Sequence, residues 1–176
     1  MNTTIMKESK KKSISDSQYH EKIQNIWQDN LYSLLGISLG MGIICFTSAY
    51  FEALFLIPSL ASSAIMLFMS YNNVFAQPRN VVGGHFVSAL AAVIIGQLLG
   101  QEWWAIAIVV VLAALLMIIT HTIHPPGGGT AIAAYLGGYS PPVLLGNVIL
   151  DTVIIVVVAI VVNNTIPSRK YPRFWI

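Results

Sequence analysis

Long apolar segments alternate with short polar breaks along most of this chain, from about residue 31 to residue 165. Within Leu31–Ser168 the formally charged side chains are Glu52, Arg79, Glu102 and Asp151. A helix needs about 20 apolar residues to cross a hydrocarbon core about 30 Å thick. The pattern therefore predicts an all-α polytopic membrane protein.

The apolar region divides into six segments at its polar and proline-containing breaks. They are Leu31–Phe51, Ala53–Tyr71, Asn80–Leu99, Trp103–Thr120, Pro125–Leu136 and Val143–Val162. The second and fifth segments each contain proline and small residues near their start. This long–short–long order recurs, so we predict two three-segment repeats, residues 31–99 and 100–165, in inverted orientation with short broken helices.

The number of membrane crossings stays open at this stage. With six crossings, both termini and Arg79 lie on the cytoplasmic side and Glu52 and Glu102 lie outside, as the positive-inside rule favours. With four crossings, the two short segments are re-entrant and Arg79 lies outside. The distribution of charge favours six crossings in a cell (inner) membrane.

The two ends of the chain are polar. Residues 1–30 contain five lysines, and the tail 166–176 contains Arg169, Lys170 and Arg173. These ends predict a cytoplasmic N-terminal segment and a cytoplasmic basic tail. Within the first of them, residues 19–30 suit a short surface helix. The polar start shows no signal-peptide cleavage site.

Composition narrows the classes of function. Charged residues make up 9% of the chain, against about 25% in soluble domains, which favours a polytopic protein over a soluble domain with one anchor. The net charge of +2 gives no reason to expect nucleic acid as a partner. The expected partners are the lipid bilayer, a small inorganic anion and further copies of this chain in a homo-oligomer.

The most specific run is His121-Thr-Ile-His-Pro-Pro-Gly-Gly-Gly-Thr-Ala131. Pro125 and Pro126 end any helix that arrives from the fourth segment, and proline suits the first turn of a new helix. A helix that begins at Gly127–Gly129 has free N–H groups, and Thr130 adds a hydroxyl, so this run predicts an anion site. The alternative interpretation is a glycine-rich packing site or a surface turn.

The part of this run from His124 to Ala131 resembles the signature of the HPP family of integral membrane proteins. Ala76-Gln-Pro-Arg-Asn-Val-Val-Gly-Gly-His85 is similar to a second block typical of that family. The resemblance covers about residues 31–165. It implies a multi-spanning, transporter-like protein, and some members are linked to nitrite transport in cyanobacteria and plastids.

The candidate anion-binding residues have polar side chains or bare backbone near segment starts. They are Ser59, Ser62, Ser63, Arg79, Asn80, His124, Gly127, Gly128, Gly129, Thr130 and Asn147. A structural role explains several of them equally well. Serines bond between helices, an arginine at a helix end reaches the headgroups, and asparagines cap helices.

Three titratable side chains of the apolar region are candidates for a proton relay: His85, His121 and Asp151. Ionisable residues inside a membrane are costly and mark function by default. The alternatives are a buried structural histidine at each imidazole and, at Asp151, a carboxylate that complements a helix dipole.

We therefore expect a transporter or channel for a small monovalent anion, above all nitrite, that is not an enzyme and holds no cofactor or metal. The anion is expected near the bilayer midplane, between Ser59–Ser63 and Gly127–Thr130. The alternative is a membrane-embedded metal or redox protein, or an enzyme, that uses His85, His121 and His124. The chain lacks a nucleophile elbow, a paired-carboxylate motif and a HExxH run.

Overall fold

A computed structural model describes residues 16–51 and 56–175, with side chains from residue 27 onward. Within these residues all regular structure is helical, which confirms the predicted all-α class. The helices are α1 (Asp16–Tyr50), α2 (Ile57–Met69), α3 (Pro78–Leu99), α4 (Ala105–Ile119), α5 (Gly127–Gly137) and α6 (Pro141–Asn164), with a 3₁₀ turn at Val74–Ala76. The six helices occupy the six apolar segments. Residues 1–15 and Glu52, for which expectations were stated above, lie outside the described part.

The chain divides into two compact units, Met1–Tyr32 and Ser33–Ile176. The helix expected at residues 19–30 is not a separate element, because α1 begins at Asp16 and continues to Tyr50. The contacts between side chains and helices described below all belong to the second unit.

In the described part of the chain, three stretches are long and apolar enough to cross a membrane: Trp27–Tyr50, Pro78–Leu99 and Pro141–Asn164. The helices α2 and α5 have 13 and 11 residues. At 1.5 Å per residue they are only about 20 Å and about 16 Å long, well short of a hydrocarbon core of about 30 Å. Large apolar side chains face outward along α4 and α6, for example Val111, Leu115, Val153 and Val157. Such a surface suits lipid.

The two short helices end at opposite ends of the bundle. At one end, called the tail end, Ser33 of α1 and Arg169 of the C-terminal tail both donate to the carbonyl of Phe68 in the last turn of α2, at 2.8 and 3.1 Å. At the other, called the turn end, Tyr135 near the end of α5 donates to the carbonyl of Gly100 after α3, at 2.6 Å. Thus α2 runs toward the tail end and α5 toward the turn end.

The start of α3 lies at the tail end. The backbone N–H of Arg173 donates to the Gln77 side chain just before α3, at 2.8 Å. Arg79 therefore lies at the same end as the basic residues of the C-terminal tail. This is the placement of Arg79 relative to the C-terminal tail that six crossings predict, although α2 and α5 are each too short to span the bilayer alone.

Two glycines on α1 make room for a large side chain of α2. A Cβ on Gly36 would overlap the Phe68 ring, and a Cβ on Gly40 would lie 3.3 Å from the same ring. The glycines are spaced by four residues, so they lie on one face of α1. The large ring of Phe68 fills the shallow groove that they leave.

Two glycines of α3 let the loop between α4 and α5 lie directly on that helix. A Cβ on Gly83 would lie 2.9 Å from Thr122 Cβ, and one on Gly84 would lie 2.6 Å from His124 Cβ and 2.8 Å from the Thr122 carbonyl. Gly127, at the start of α5, faces the Gly84 carbonyl in the same way, at 3.0 Å. The fold thus brings the two glycine-containing sequence blocks into contact.

Candidate functional site

A chain of polar side chains lies buried where the starts of α2 and α5 meet α3. Its members, called the central network, are Ser59, Ser63, His85, His124 and Thr130. Each has at most 4% of its surface exposed. A buried polar group without a hydrogen-bond partner costs free energy. The partners of each side chain therefore decide which protons it can donate or accept.

The hydroxyl of Ser63 lies between two imidazoles. Its Oγ is 2.7 Å from Nε2 of His85 and 2.8 Å from Nε2 of His124. On the far side of His85, Nδ1 lies 2.6 Å from Thr130 Oγ1, which donates to Ser59 Oγ at 2.8 Å. One hydrogen-bonded path therefore connects α2, α3, α5 and the loop before α5.

Both ends of this path are backbone carbonyls. Nδ1 of His124 lies 2.7 Å from the carbonyl of Phe75 in the 3₁₀ turn. At the other end, Ser59 Oγ donates to the Leu56 carbonyl at 2.9 Å. A carbonyl only accepts, so each terminal bond takes its proton from the network.

Local sequence explains how these groups converge. Pro58 lies in the first turn of α2 and fixes where that helix starts. Ser59 and Ser63 then fall four residues apart on one face. On α3, the glycines before His85 admit the loop that carries His124, so the two rings come within 4.9 Å of each other, centroid to centroid.

The triple glycine does not present free amides in this structure. The N–H groups of Gly127, Gly128 and Gly129 donate to the carbonyls of the residues three positions earlier, at 2.9–3.0 Å. Gly127 is also packed against Met117, Ser88 and the Gly84 backbone. The packing interpretation of this run therefore accounts for Gly127, whereas Gly129 is exposed and lies beside Ser59.

A family model for the transmembrane region of HPP proteins matches residues 23–172. The chain belongs to the HPP family. The resemblance drawn from the two sequence blocks is thereby confirmed, and membership agrees with a membrane transporter or channel. No curated protein and no solved structure matches the chain significantly.

In this HPP protein Arg79 and Asn80 stabilise the tail end. Arg79 is exposed and donates to the Thr120 carbonyl at the end of α4, at 3.1 Å, where a cation complements the helix dipole. Asn80 Nδ2 donates to the Val74 carbonyl of the 3₁₀ turn at 2.8 Å. Neither side chain reaches the central network through these bonds.

Asn147 of α6, another candidate anion-binding residue, differs from Asn80. Its Nδ2 is buried and has no partner among the described residues. One turn later, Asp151 is 2% exposed and lies between α6 and α1, with Ser48 Oγ at 3.2 Å and Thr47 Oγ1 at 3.3 Å from its carboxylate oxygens. The carboxylate that the sequence suggested as a proton relay thus has its own hydroxyl partners on α1.

Two further candidates lie on exposed surfaces. Ser62 faces outward on α2, and its hydroxyl donates to the Pro58 carbonyl at 3.3 Å. His121 is exposed and has a left-handed backbone, with φ of 54°, where the chain turns after α4. Among the described residues no group of three or more His, Cys, Asp and Glu side chains is arranged to hold a metal ion. The three histidines of the alternative hypothesis are therefore not one cluster.

Sequence reasoning missed a cavity of about 210 Å³ between α3, α5 and α6 at the turn end. It is lined by Ala92, Gly96, Gln97, Gln101, Ala134, Tyr135, Tyr139 and Leu144, among others. Ala92 lies seven residues beyond His85 on α3, and Ala134 lies four residues beyond Thr130 on α5. Each pair shares a helix face, so the cavity, called the vestibule, lies on the side of α3 and α5 that carries the central network.

Proposed function

We propose that this protein transports a small monovalent anion, with nitrite as the substrate, across the membrane by way of the central network. The observation that carries the proposal is the buried path of hydroxyl and imidazole groups at the point where two half-length helices begin. Buried polar groups inside a membrane bundle are costly and therefore mark a solute path by default. Nitrite is the anion that resemblance to the HPP family implies.

The chemistry of the network suits an ion that must leave as readily as it arrives. Hydroxyl and imidazole N–H groups replace part of an anion's water. In the described hydrogen bonds no lysine or arginine side chain contacts the network, so fixed positive charge does not hold a monovalent anion in place. A doubly charged anion would lose far more hydration than these neutral groups return.

Access from the turn end leads through the vestibule. Gln97, Gln101 and Tyr139 are exposed polar residues of its lining, and the small side chains of Ala92 and Ala134 in the lining are buried. Two turns of α3, about 10 Å, separate Ala92 from His85. An anion from this side therefore reaches Thr130 before it reaches the paired rings.

The contact between the two half-helices closes the path in this conformation. Thr130 of α5 donates to Ser59 of α2 at 2.8 Å, and Gly129 lies against Ser59 beside that bond. We propose that the inverted repeats move apart at this seam to pass the ion. The opposite directions of α2 and α5 support a pseudo-twofold relation between the repeats, with the seam near the midplane.

The orientation that we propose places the tail end in the cytoplasm. Arg79, Arg169, Lys170 and Arg173 belong to this end, and lysine and arginine near membrane segments stay on the cytoplasmic side. At the turn end Trp103 and Trp104 are exposed beside the start of α4, where their rings suit the headgroup region.

Flux through proteoliposomes tests the proposal. We expect saturable uptake of nitrite, with weaker uptake of nitrate, formate and chloride, after subtraction of uptake by protein-free liposomes. Thr130→Val removes the hydroxyl while it keeps the shape, and we expect nitrite flux to fall at least about tenfold. Thr165→Val, at an exposed threonine after α6, is the matched control. Absence of saturable flux of all four anions would reject the proposal.

The vestibule has its own pair of variants. A Cβ at Gly96 or at Gly146 meets nothing within 4 Å, so a side chain added at either position starts in open space. Gly96→Leu puts the side chain into the vestibule, whereas Gly146→Leu puts it on the exposed side of α6. We expect the first to slow nitrite flux and the second to leave it unchanged. Equal rates would exclude the vestibule as the route.

A further inference from the structure

The central network contains more hydrogen-bonded contacts than its neutral groups have protons to fill. Six contacts of 2.6–2.9 Å run from the Phe75 carbonyl through the five side chains to the Leu56 carbonyl. At these separations every contact is a hydrogen bond only if one proton lies between its two heavy atoms.

With both imidazoles neutral, the network supplies five such protons. Each of the three hydroxyls has one, and each neutral ring has one. Five protons leave one of the six contacts without a donor. No choice of tautomer or hydroxyl rotation changes this count, because the carbonyl at each end only accepts. The longer contact from Ser63 Oγ to the Ser59 carbonyl, at 3.2 Å, increases the demand further.

One added proton completes the path. In the neutral network some contact must bring two lone pairs together, which is unfavourable where water does not reach. When either His85 or His124 holds a second proton, both of its nitrogens donate and all six contacts are filled. The hydrogen bonds, taken alone, therefore favour a network with one proton more than its neutral form.

A buried imidazolium needs a partner of opposite charge, because a lone charge in such surroundings is very costly. The described parts of α2 and α4 carry no titratable side chain. The titratable groups on the other packed elements are engaged elsewhere or exposed: Arg79 with Thr120, Tyr135 at the turn end, Asp151 with α1, and His121. In the described hydrogen bonds none of these four groups contacts the network.

We propose that the transported anion is that partner, so that the protein is a proton–anion symporter in which the His85–Ser63–His124 group binds the proton. This inference rests on the proposed function and names its coupling ion. One proton and one monovalent anion arrive together, the ring nitrogen gains the proton as the anion neutralises it, and both leave together. The cycle moves no net charge across the membrane.

The first experiment measures coupling with the full-length protein in proteoliposomes. We expect nitrite uptake to be accelerated several-fold by an acidic exterior, to be insensitive to a potential set with potassium and valinomycin, and to acidify the lumen by one proton per nitrite. Protein-free liposomes correct for nitrous acid that crosses the lipid. His85→Gln and His124→Gln keep a donor and an acceptor but bind no extra proton, so we expect loss of the pH-driven acceleration. His121→Gln, at the exposed ring, retains it.

The outcomes separate the two proposals. Saturable nitrite flux that follows the membrane potential and ignores the pH gradient overturns the symport while anion transport stands. Absence of flux rejects the transport function, and the proton count is then tested by ¹⁵N NMR of histidine-labelled protein, with the four histidines assigned by substitution. We expect one of the paired rings to carry two N–H protons when nitrite is present. Two neutral rings with nitrite at every pH that preserves the fold overturn the inference.

Discussion

Two buried polar clusters of this protein differ in their balance of hydrogen-bond donors and acceptors. The first is the central network. The second, at the tail end, is called the tail cluster and consists of Ser33, Asn163 and Arg169 around the Phe68 carbonyl. There Arg169 donates to Phe68, Asn163 and Ser33 at 2.8–3.1 Å, and its guanidinium lies 4.9 Å from the centre of the Tyr71 ring.

The two clusters differ in whether an added proton changes their hydrogen bonds. In the tail cluster a permanently charged donor meets carbonyl, amide and hydroxyl oxygens, so the described bonds are complete at every physiological pH. In the central network the two terminal carbonyls only accept hydrogen bonds. The hydroxyls and imidazole nitrogens between them can either donate or accept. The matched donors and acceptors of the tail cluster hold α1, α2 and the tail together. The central network lacks one donor, which suits the proposed binding and release of a proton.

The largest effect is expected from removal of the charge in the tail cluster. Arg169→Met removes one of the two donors to the Phe68 carbonyl and the described donor to Asn163 Oδ1. We expect a loss of about 3 kcal/mol in the free energy of unfolding. Thermal unfolding in detergent measures it, with Lys170→Met as the control at the exposed neighbour. If the two variants unfold at the same temperature, the tail cluster does not stabilise the packing of α1, α2 and the tail.

A smaller loss is expected where the loop before α5 lies on α3. Gly84→Ala puts a methyl group 2.6 Å from His124 Cβ and 2.8 Å from a backbone carbonyl, so the loop must move away. We expect a cost of about 1–3 kcal/mol together with loss of nitrite flux, because His124 leaves the network. Gly96→Ala, which meets nothing, should stabilise its helix by up to about 1 kcal/mol. A stable, active Gly84→Ala protein would contradict this account of the glycine block.

Two asparagines differ in the same way, because the side-chain amide of one is hydrogen-bonded and that of the other has no described partner. Asn80 holds the Val74 carbonyl, whereas Asn147 has a buried Nδ2 without a described partner. We expect Asn80→Ala to cost about 1 kcal/mol and Asn147→Ala to cost less than that. Thermal unfolding of both variants checks the order, and the reverse order would contradict this assignment of the paired and the unpaired amide.

The smallest effect concerns pH and the docking of the tail. Burial raises the pKa of the Tyr171 phenol, whose hydroxyl donates to the Ala76 carbonyl at 2.8 Å. An unfolded tyrosine ionises near about pH 10. The stabilisation is therefore complete below that pH and is lost progressively as the pH rises above it. Tyr171→Phe should be less stable near pH 8 by about 1 kcal/mol and should lose less on the way to pH 11. Tyr50→Phe, at an exposed tyrosine, should resemble the wild type at both pH values.

Much of the fold was predictable because apolar segments and proline breaks are local signals. Pro58, Pro78 and Pro141 each lie in the first turn of a helix, and the short segments were expected to form broken helices. The continuation of α1 from Asp16 was not predictable, because charged residues near an apolar span fit a surface helix equally well.

For the candidate site, the sequence predicted the individual residues but not how the fold groups them. His85, His124, Ser63, Ser59 and Thr130 were all named from the sequence, but their grouping needs contacts across 22 to 71 positions. Helical spacing alone does not separate Ser62 from Ser63, since the face that each serine occupies depends on how α2 packs. The carbonyls of Phe75 and Leu56 leave no sequence signal, because every residue has one.

The matched pair Ser63→Ala and Ser62→Ala is the sharpest test of whether nitrite passes by way of the central network. The two serines are neighbours on α2, yet only Ser63 joins the paired imidazoles. The measurement is the initial rate of saturable nitrite uptake by each variant at equal protein content in proteoliposomes. The account predicts that Ser62→Ala retains the wild-type rate and that Ser63→Ala loses at least about tenfold, which corresponds to 1.4 kcal/mol. Equal rates for the two variants would contradict it.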